Sequence, residues 1–356
     1  MKLWLSSLPC WLQQGSDCVL VTVVQVQGST PREAGASMLL RLANNTGVQS
    51  AQLAGMQQVD TIGGGHLEWQ ACHIAQQMLQ ESGAVPVRLE RFNLGARLGQ
   101  CCGGLALLVF EKILASQLDS WQQRRECLTT PRSAGNTPYS LQRQLQAGHA
   151  TSQWTFSDQD SVQTETAVFC VPSSVDAQDW YFEQTLLNHQ FHVVVFGAGH
   201  VGQAVVQALL PLQASICWVD VRDQVFPAWS HPDLSCISTD TPEYEIEHAP
   251  ANSYFLIMTH NHALDLALCH ALFKRHDYAY FGLIGSHSKR AIFERRLRQR
   301  GVLQTQLEQM ICPIGVQGIH SKEPAAIAIA VVAQLLQMKS LSMQTVKAEV
   351  AVPGLA

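Results

Sequence analysis

The strongest constraint on the fold is a glycine turn that joins an apolar strand to an amphipathic helix in the second half of the chain. His192 to Phe196 form the apolar run, Gly197, Gly199 and Gly202 follow it, and apolar residues then recur at helical spacing up to Leu212. A Gly-x-Gly-x-x-Gly turn in this position is typical of the first strand and helix of a dinucleotide-binding domain. The free amides at the start of such a helix favour a phosphate group.

The rest of this half alternates strands with helices. Apolar runs at Ile216 to Asp220, Phe255 to Thr259 and Phe281 to Gly285 are separated by helical segments. This order predicts an α/β fold with a Rossmann-like doubly wound parallel sheet over residues 190–345. Asp220 ends the second strand, where a carboxylate accepts hydrogen bonds from ribose hydroxyls. The candidate nucleotide ligands are Gly197, Gly199, His200, Gly202 and Asp220, although such a fold can persist without its ligand.

The first part of the chain predicts a separate mixed α+β domain over residues 1–115. A β-branched run over residues 17–27 stops at Gly28, and a second strand follows at Ser37 to Leu42. Three glycines, Gly63, Gly64 and Gly65, then open a helix that runs from His66 to Glu81. Each glycine loop lies at the end of a strand or the start of a helix.

Two adjacent cysteines, Cys101 and Cys102, stand between glycines just before the apolar strand Leu105 to Phe110. Neighbouring cysteines rarely close a disulfide with each other, because consecutive Cα atoms are only about 3.8 Å apart. Thiolates are ligands for soft metals or sulfur, and the flanking glycines, Gly103 among them, let a large ligand approach the backbone. The alternative is two small buried residues in a turn.

We expect the three N-terminal loops to converge on one ligand that carries both phosphate and sulfur. Glycine amides suit the phosphate, Arg32 suits it as a bidentate donor, and Cys101 or Cys102 suits a soft atom. Glu68, in the first turn of the helix, is either a pterin-type hydrogen-bond acceptor or ordinary compensation of the helix dipole, and we favour the second interpretation. The candidate ligands from the first loop are Gly28, Ser29, Thr30 and Arg32.

The segment 116–189 is polar and rich in turn formers, which is typical of a connecting and peripheral region, with one strand at Ala167 to Val171. Residues 346–356 are predicted to form a tail. Lys2 and the apolar residues after it resemble a signal peptide only superficially, since Pro9 interrupts them, and we predict an amphipathic first helix.

Composition excludes several functional classes. With 356 residues the chain is long enough for about two domains, and its formal net charge of -5 argues against nucleic acid as a partner. Eleven cysteines, an odd number spread along the chain, argue against an exported disulfide framework and for the cytoplasm. The longest apolar stretch outside the N-terminus, Ala325 to Ala333, is shorter than a membrane span requires.

Two further polar turns follow strands of the predicted parallel sheet. His260 and His262 are candidates for metal binding or acid–base chemistry, and the alternative is a helix start capped by Asn261 or His262 with Asp265 in its first turn. After the next strand, Lys289 and Arg290 suggest an anion site, unless they belong to a solvated helix face.

Taken together, these motifs resemble the XdhC/CoxI family. The resemblance rests on six motifs in order and covers about residues 15–112 and 180–340. The motifs are Gly28-Ser29-Thr30-Pro31-Arg32, Ile62-Gly63-Gly64-Gly65, Gly99-Gln100-Cys101-Cys102-Gly103-Gly104, Gly197-Ala198-Gly199-His200-Val201-Gly202, Thr259-His260-x-His262-Ala263-Leu264-Asp265 and Gly282-Leu283-Ile284-Gly285-Ser286. The polar middle segment matches no part of the family pattern.

The resemblance implies a chaperone for molybdenum cofactor, a pterin that carries a dithiolene and a phosphate. Such a protein is not an enzyme in the ordinary sense. It holds the cofactor while a terminal sulfur is placed on molybdenum and passes it to the large subunit of xanthine dehydrogenase, with a cysteine desulfurase as sulfur donor. The family's cysteine corresponds to Cys102, with Cys101 beside it. The resemblance leaves three roles for Cys102: direct contact with molybdenum, relay of sulfur, or shaping of the pocket.

Other interpretations of the residues stay open. The Gly197 turn and Asp220, with His260 as proton donor, fit an NAD(P)-dependent oxidoreductase. A metal-dependent enzyme would use His260, His262 and a cysteine. Because ligands favour domain interfaces, we expect a cleft that brings Cys102 near Gly199, and a homodimer is a further expectation.

Overall fold

The computed structural model describes residues 2–43, 55–81, 86–94, 104–129, 140–147, 152–157, 165–170, 180–187, 189 and 191–350, with only the backbone described for 342–350. The described residues up to 187 form one compact unit, and those from His189 onward form a second.

In its described residues, the first unit contains two antiparallel sheets and three α-helices. Its elements are α1 (Leu3–Gln13), β1 (Cys18–Gln27), β2 (Ser37–Leu42), β3 (Met56–Asp60), α2 (Gly65–Gln80), β4 (Val87–Asn93), β5 (Leu105–Ile113), α3 (Leu118–Thr129), β6 (Ser140–Gln146), β7 (Gln153–Ser157), β8 (Thr166–Cys170) and β9 (Tyr181–Leu186). The strand orders are β3-β2-β1-β5-β4 and β7-β6-β9-β8.

Strand β1 is central in its sheet and is buried on both faces. Val19, Val21 and Val23 pack on one side with the apolar face of α2, whereas Cys18 and Leu20 pack on the other with α1. Alternate residues of a strand point to opposite faces, so this mostly apolar run contributes side chains to two hydrophobic cores. The amphipathic first helix predicted from the sequence is confirmed as α1.

The polar middle segment is more ordered than the sequence indicated. Besides β8, which overlaps the predicted strand, it contains helix α3 and strands β6, β7 and β9, so the expectation of a single strand was wrong. In β6 the inward positions alternate along the strand and are Leu141, Arg143 and Leu145. The middle one is therefore a charged residue in an otherwise apolar row. The charged residue conceals the period of two by which a strand is recognised.

Arg143 is fully buried and joins the two sheets of the first unit. Its Nη2 donates to Glu111 Oε2 at 2.6 Å, its Nη1 to Thr22 Oγ1 at 2.9 Å and its Nε to Ser152 Oγ at 2.9 Å. Glu111 also accepts from the Ser152 amide and hydroxyl, both at 2.8 Å. Both charges are therefore paired and hydrogen-bonded, as burial in a low-dielectric core demands.

We predict that Glu111→Ala destabilises the first unit by about 3–5 kcal/mol, because it leaves the Arg143 charge buried without its partner. Urea titration followed by tryptophan fluorescence measures the change, since six of the eight tryptophans precede residue 188. The double variant Glu111→Leu, Arg143→Met is expected to recover much of the loss. A single variant within about 0.5 kcal/mol of wild type would show that the pair does not hold the sheets together.

The second unit is built on a parallel five-stranded sheet with the order β12-β11-β10-β13-β14. Its elements are β10 (Phe191–Phe196), α4 (His200–Leu209), β11 (Ala214–Asp220), β12 (Leu234–Ser238), α5 (Glu243–His248), β13 (Tyr254–Ile257), α6 (His262–Leu272), β14 (Tyr280–Leu283), α7 (His287–Gln299), α8 (Gln304–Leu307) and α9 (Pro324–Val350). The α/β class and the Rossmann-like sheet predicted from the sequence are confirmed.

Both faces of this sheet are covered. Val194 and Phe196 of β10 pack with α6 and α7, whereas Val193 and Val195 pack with α4 and α9. The chain moves outward from β10 in one direction to β11 and in the other to β13, and such a reversal places ligands at the carboxyl edge of the sheet. Strand β12, which the sequence did not indicate, is a half-exposed edge strand.

Helix α9 is the one described helix that is long and apolar enough to cross a membrane, with a mean hydropathy of 1.5 over Pro324–Leu341. It meets this criterion by length and composition only, and it contains the apolar stretch Ala325 to Ala333 noted in the sequence. The helix packs against α4, and Ala328, Val331 and Leu335 lie in the core of the parallel sheet, whereas Ile329 is exposed. Its inner face has the packing of a core helix.

Candidate functional site

The loop that carries Cys101, Cys102 and Gly103 lies outside the described residues, but both of its ends are described. Leu94, just after β4, donates its amide to the Gly104 carbonyl at 2.8 Å. Gly104 also lies against the end of β1, because a β carbon there would be 2.3 Å from the Ser29 carbonyl oxygen. Leu94 and Gly104, the described residues on either side of positions 95–103, are therefore joined, and Gly104 lies beside the Gly28 loop.

The Gly63 turn meets the Gly28 loop from the other side. A β carbon on Gly63 would lie 2.4 Å from Pro31 Cβ, and Arg32 Nη1 donates to the Thr61 carbonyl at 3.3 Å. Gly63, Gly64 and Gly65 have φ values of 121°, 77° and 64°, a left-handed run that only glycine adopts readily. The structure thus brings together the described ends of all three predicted loops.

Glu68 holds this turn in place. It is 7% exposed and accepts hydrogen bonds from the Ile62 amide at 2.9 Å, from Gln58 Nε2 at 2.9 Å and from the Thr61 hydroxyl. Burial alone would raise the pKa of Glu68, but hydrogen bonds from Thr61 and Gln58 lower it below its usual value. The carboxylate is thus committed to the protein, which argues against a role as a pterin acceptor.

The cation closest to this turn is Arg32, whose side chain is 37% exposed. Besides its bond to Thr61 it donates Nη2 to Glu33 at 3.2 Å, and the Thr30 hydroxyl donates to the Arg32 carbonyl at 3.2 Å. A guanidinium carries five N–H donors, so the two bonds leave others for an anion. Arg32 therefore has donors left for a phosphate group, whereas the Gly63 amide donates to Thr61 Oγ1 at 3.0 Å and the Ile62 amide donates to Glu68.

In the second unit the three glycines of the Gly197 turn differ in what surrounds them. A β carbon on Gly197 would lie 2.4 Å from the Met258 carbonyl, and one on Gly202 would lie 2.0 Å from the Gly197 carbonyl. A β carbon on Gly199 meets nothing within 4 Å. Gly199 and its neighbour His200 are exposed. Packing therefore explains Gly197 and Gly202, and it does not explain Gly199.

Asp220 lies beneath this turn and is 5% exposed. Its Oδ2 accepts from the Ala198 amide at 2.6 Å, and Arg222 donates to both carboxylate oxygens through Nε and Nη2 at 2.9 Å. Burial by itself would raise the pKa of Asp220, but hydrogen bonds from Arg222 and Ala198 lower it to about 2. Asp220 thus fixes the glycine turn.

A small crevice of about 10 Å³ lies at the carboxyl edge, where β10 and β11 end and the chain leaves β13. It is mainly apolar and has room for about one water molecule. Its lining residues are Phe196, Val219, Asp220, Val221, Pro242, Thr259, His260, Leu264 and Leu268.

The turn after β13 is a capped helix start, which was the alternative to a metal or acid–base site. Asn261 caps α6 by accepting from the Ala263 and Leu264 amides at 2.8 and 3.3 Å. Asp265 is fully buried and accepts from Thr259 Oγ1 at 2.7 Å. Within the described part of the chain, no three His, Cys, Asp or Glu residues come together as a metal site, so His260 and His262 gain no third ligand there.

The cations after β14 are also bound by the protein. Lys289 Nζ donates to Asp265 Oδ2 at 2.6 Å and to the Ile284 carbonyl at 2.8 Å. Arg290 Nε donates to Glu294 at 2.7 Å. Both cations that suggested an anion site here, Lys289 and Arg290, are therefore already bonded to protein acceptors.

Glu68→Gln is expected to destabilise the first unit by about 1.5–3 kcal/mol at pH 7, because a neutral amide replaces a charged acceptor of three hydrogen bonds. The lowered pKa means that this contribution is present above the unfolded-state pKa and is lost as pH falls through the folded-state value. The difference between variant and wild type should therefore shrink below about pH 4.

Urea titrations at pH 7 and at pH 3.5 measure both effects. Glu81→Gln, an exposed change just after the same helix, is the matched control and should leave stability unchanged at either pH. A Glu68→Gln deficit of equal size at both pH values would contradict the role of the charge.

Comparisons with known proteins agree with this division of the chain. A model of the XdhC and CoxI family matches residues 11–93, and a model of the XdhC Rossmann domain matches residues 193–335. A protein named as a probable xanthine dehydrogenase subunit, from Bacillus subtilis strain 168, is 21% identical over 342 residues, which are 93% of this chain and 96% of that protein.

A second relative is the uncharacterized protein YqeB of Escherichia coli strain K12, with 29% identity over 154 residues, 42% of this chain. The match spans only 27% of that protein's length. Among solved structures, a xanthine dehydrogenase from Bacillus halodurans has a TM-score of 0.67 and 21% identity, covering 95% of this chain and 96% of that one. At this identity the likeness establishes a shared fold.

Proposed function

The chain belongs to the XdhC and CoxI family, and from that membership we propose that it is an accessory protein of a xanthine dehydrogenase, which binds molybdenum cofactor as cargo. The name of the Bacillus subtilis relative supports the choice of xanthine dehydrogenase. In this role the protein is a carrier, and its client performs the catalysis.

The observation that carries the proposal is the convergence of the three N-terminal loops. Gly104 touches the Ser29 carbonyl, Gly63 touches Pro31, and Arg32 bonds to Thr61. A cofactor that carries phosphate and sulfur needs an anion site and a soft ligand close together. Arg32 provides the first, and the loop flanked by Leu94 and Gly104 carries the cysteines that provide the second.

We assign Cys102 to the molybdenum or its sulfur, with Cys101 beside it, and Gly28, Ser29, Thr30 and Gly103 to the walls of the site. A cysteine desulfurase would supply the terminal sulfur, and the large subunit of xanthine dehydrogenase would receive the cofactor. We also propose a cytoplasmic location, which the free thiols of nine described cysteines support. A homodimer stays a prediction from the sequence, as does the cleft between Cys102 and Gly199.

The double variant Cys101→Ala, Cys102→Ala should lose affinity for molybdenum cofactor at least tenfold under anaerobic conditions. Arg32→Ala should also weaken binding by about tenfold, because it removes a charge-assisted donor to the phosphate. Cys10→Ala changes an exposed thiol and is the matched control. Equilibrium binding measures all four proteins, and equal affinity in the double variant and wild type would exclude the thiol role.

A second candidate function, nucleotide binding by the second unit, is favoured by Gly199. Packing does not require a glycine at this position, because a β carbon there would meet no atom within 4 Å. In a Gly-x-Gly-x-x-Gly turn the second glycine allows the close approach of a pyrophosphate. If the bound nucleotide is NAD(P), the alternative function is that of an NAD(P)-dependent oxidoreductase.

Gly199→Ala separates the ligand role from the packing role. Because its β carbon would meet no atom within 4 Å, the thermal unfolding midpoint should stay within about 2 °C of wild type. Titration with dinucleotides should show at least tenfold weaker binding. Gly202→Ala, by contrast, should lower the midpoint strongly, since its β carbon would lie 2.0 Å from the Gly197 carbonyl. Unchanged dinucleotide affinity in Gly199→Ala would contradict the site.

A further inference from the structure

Asp220 stands where a Rossmann domain normally presents a carboxylate to the two free hydroxyls of a ribose. Its acceptor capacity is already used. Oδ1 accepts from the Arg222 amide and from Arg222 Nε, both at 2.9 Å, and Oδ2 accepts from the Ala198 amide at 2.6 Å and from Arg222 Nη2 at 2.9 Å. A carboxylate has about four lone-pair sites, so none is left for ribose.

These four bonds give Asp220 a positioning role. One oxygen holds the Gly197 turn through Ala198, and both hold the guanidinium of Arg222 in a bidentate pair. The side chain of Asp220 is 2% exposed, whereas that of Arg222 is 41% exposed. The carboxylate is therefore hidden under the arginine, and an incoming ligand would meet the guanidinium first.

Arg222 lies next to the crevice, since Asp220 and Val221, the two residues before it, line the wall. Two of its side-chain N–H groups bind Asp220, and a guanidinium has five. The pairing with Asp220 also fixes the plane of the guanidinium, which lowers the entropy lost when it binds an anion. A fixed, partly exposed fork of donors suits a phosphate group.

We propose that Arg222 is the specificity-determining residue of the second unit and that the site takes a dinucleotide with a 2′-phosphate on its ribose in preference to one with a free 2′-hydroxyl. This inference rests on the proposed nucleotide site and adds the identity of its ligand. Asp220 orients Arg222 and does not contact the ribose.

Titration of the full chain with NADP⁺ and NAD⁺ tests the inference. Wild type should bind NADP⁺ about tenfold or more tightly than NAD⁺, because the charge-assisted bonds to the 2′-phosphate are absent with NAD⁺. Arg222→Gln keeps an amide donor for Asp220 and removes the charge. It should bring the two affinities within about twofold of each other, with the affinity for NAD⁺ close to that of wild type.

Arg298→Ala is the matched control, because it removes an exposed arginine of α7 that pairs only loosely with Glu294. It should keep the wild-type preference. Equal binding of both dinucleotides by wild type, or a preference for NADP⁺ that survives in Arg222→Gln, would overturn the assignment while leaving the nucleotide site intact. Binding of neither dinucleotide would overturn the nucleotide site as well. The retained affinity for NAD⁺ shows that Arg222→Gln is folded.

Discussion

The N-terminal site depends on the close approach of Gly104 to the carbonyl of Ser29. Any side chain at position 104 would collide with that oxygen, and the pairing of β1 with β5 would open at the end that carries the loops. The same glycine accepts the Leu94 amide through its carbonyl, so the two described residues that flank positions 95–103 are hydrogen-bonded to each other. Both lie in the unit that carries Arg32 and the Gly63 turn.

Both units hold their loops in the same way. A buried carboxylate accepts a backbone amide from the turn at the edge of the sheet: Glu68 from Ile62, Asp220 from Ala198 and Asp265 from Thr259. These carboxylates are consumed by the protein itself. The partly exposed arginines Arg32 and Arg222 keep donors for ligands, so each edge is suited to anions.

The fold of the second unit could be predicted because four of its five described strands are continuous apolar runs buried on both faces, whereas the half-exposed edge strand β12 could not. The polar middle segment could not, because an arginine occupies the inward row of β6 and its partner, Glu111, lies in another sheet. The meeting of the three glycine loops was expected from their positions at strand ends. The sequence did not predict that Asp220 binds the protein rather than a ribose. Its donor, Arg222, lies only two residues away, and no sequence motif indicates this pairing.

The central claim is that the first unit carries a pterin bound through its three loops. The most direct measurement is the pterin content of the protein isolated anaerobically from cells, read by fluorescence after oxidation. We predict close to one pterin for each chain of wild type and almost none from cells that cannot make molybdenum cofactor. A wild-type protein that carries no pterin from cells competent to make the cofactor would contradict the claim.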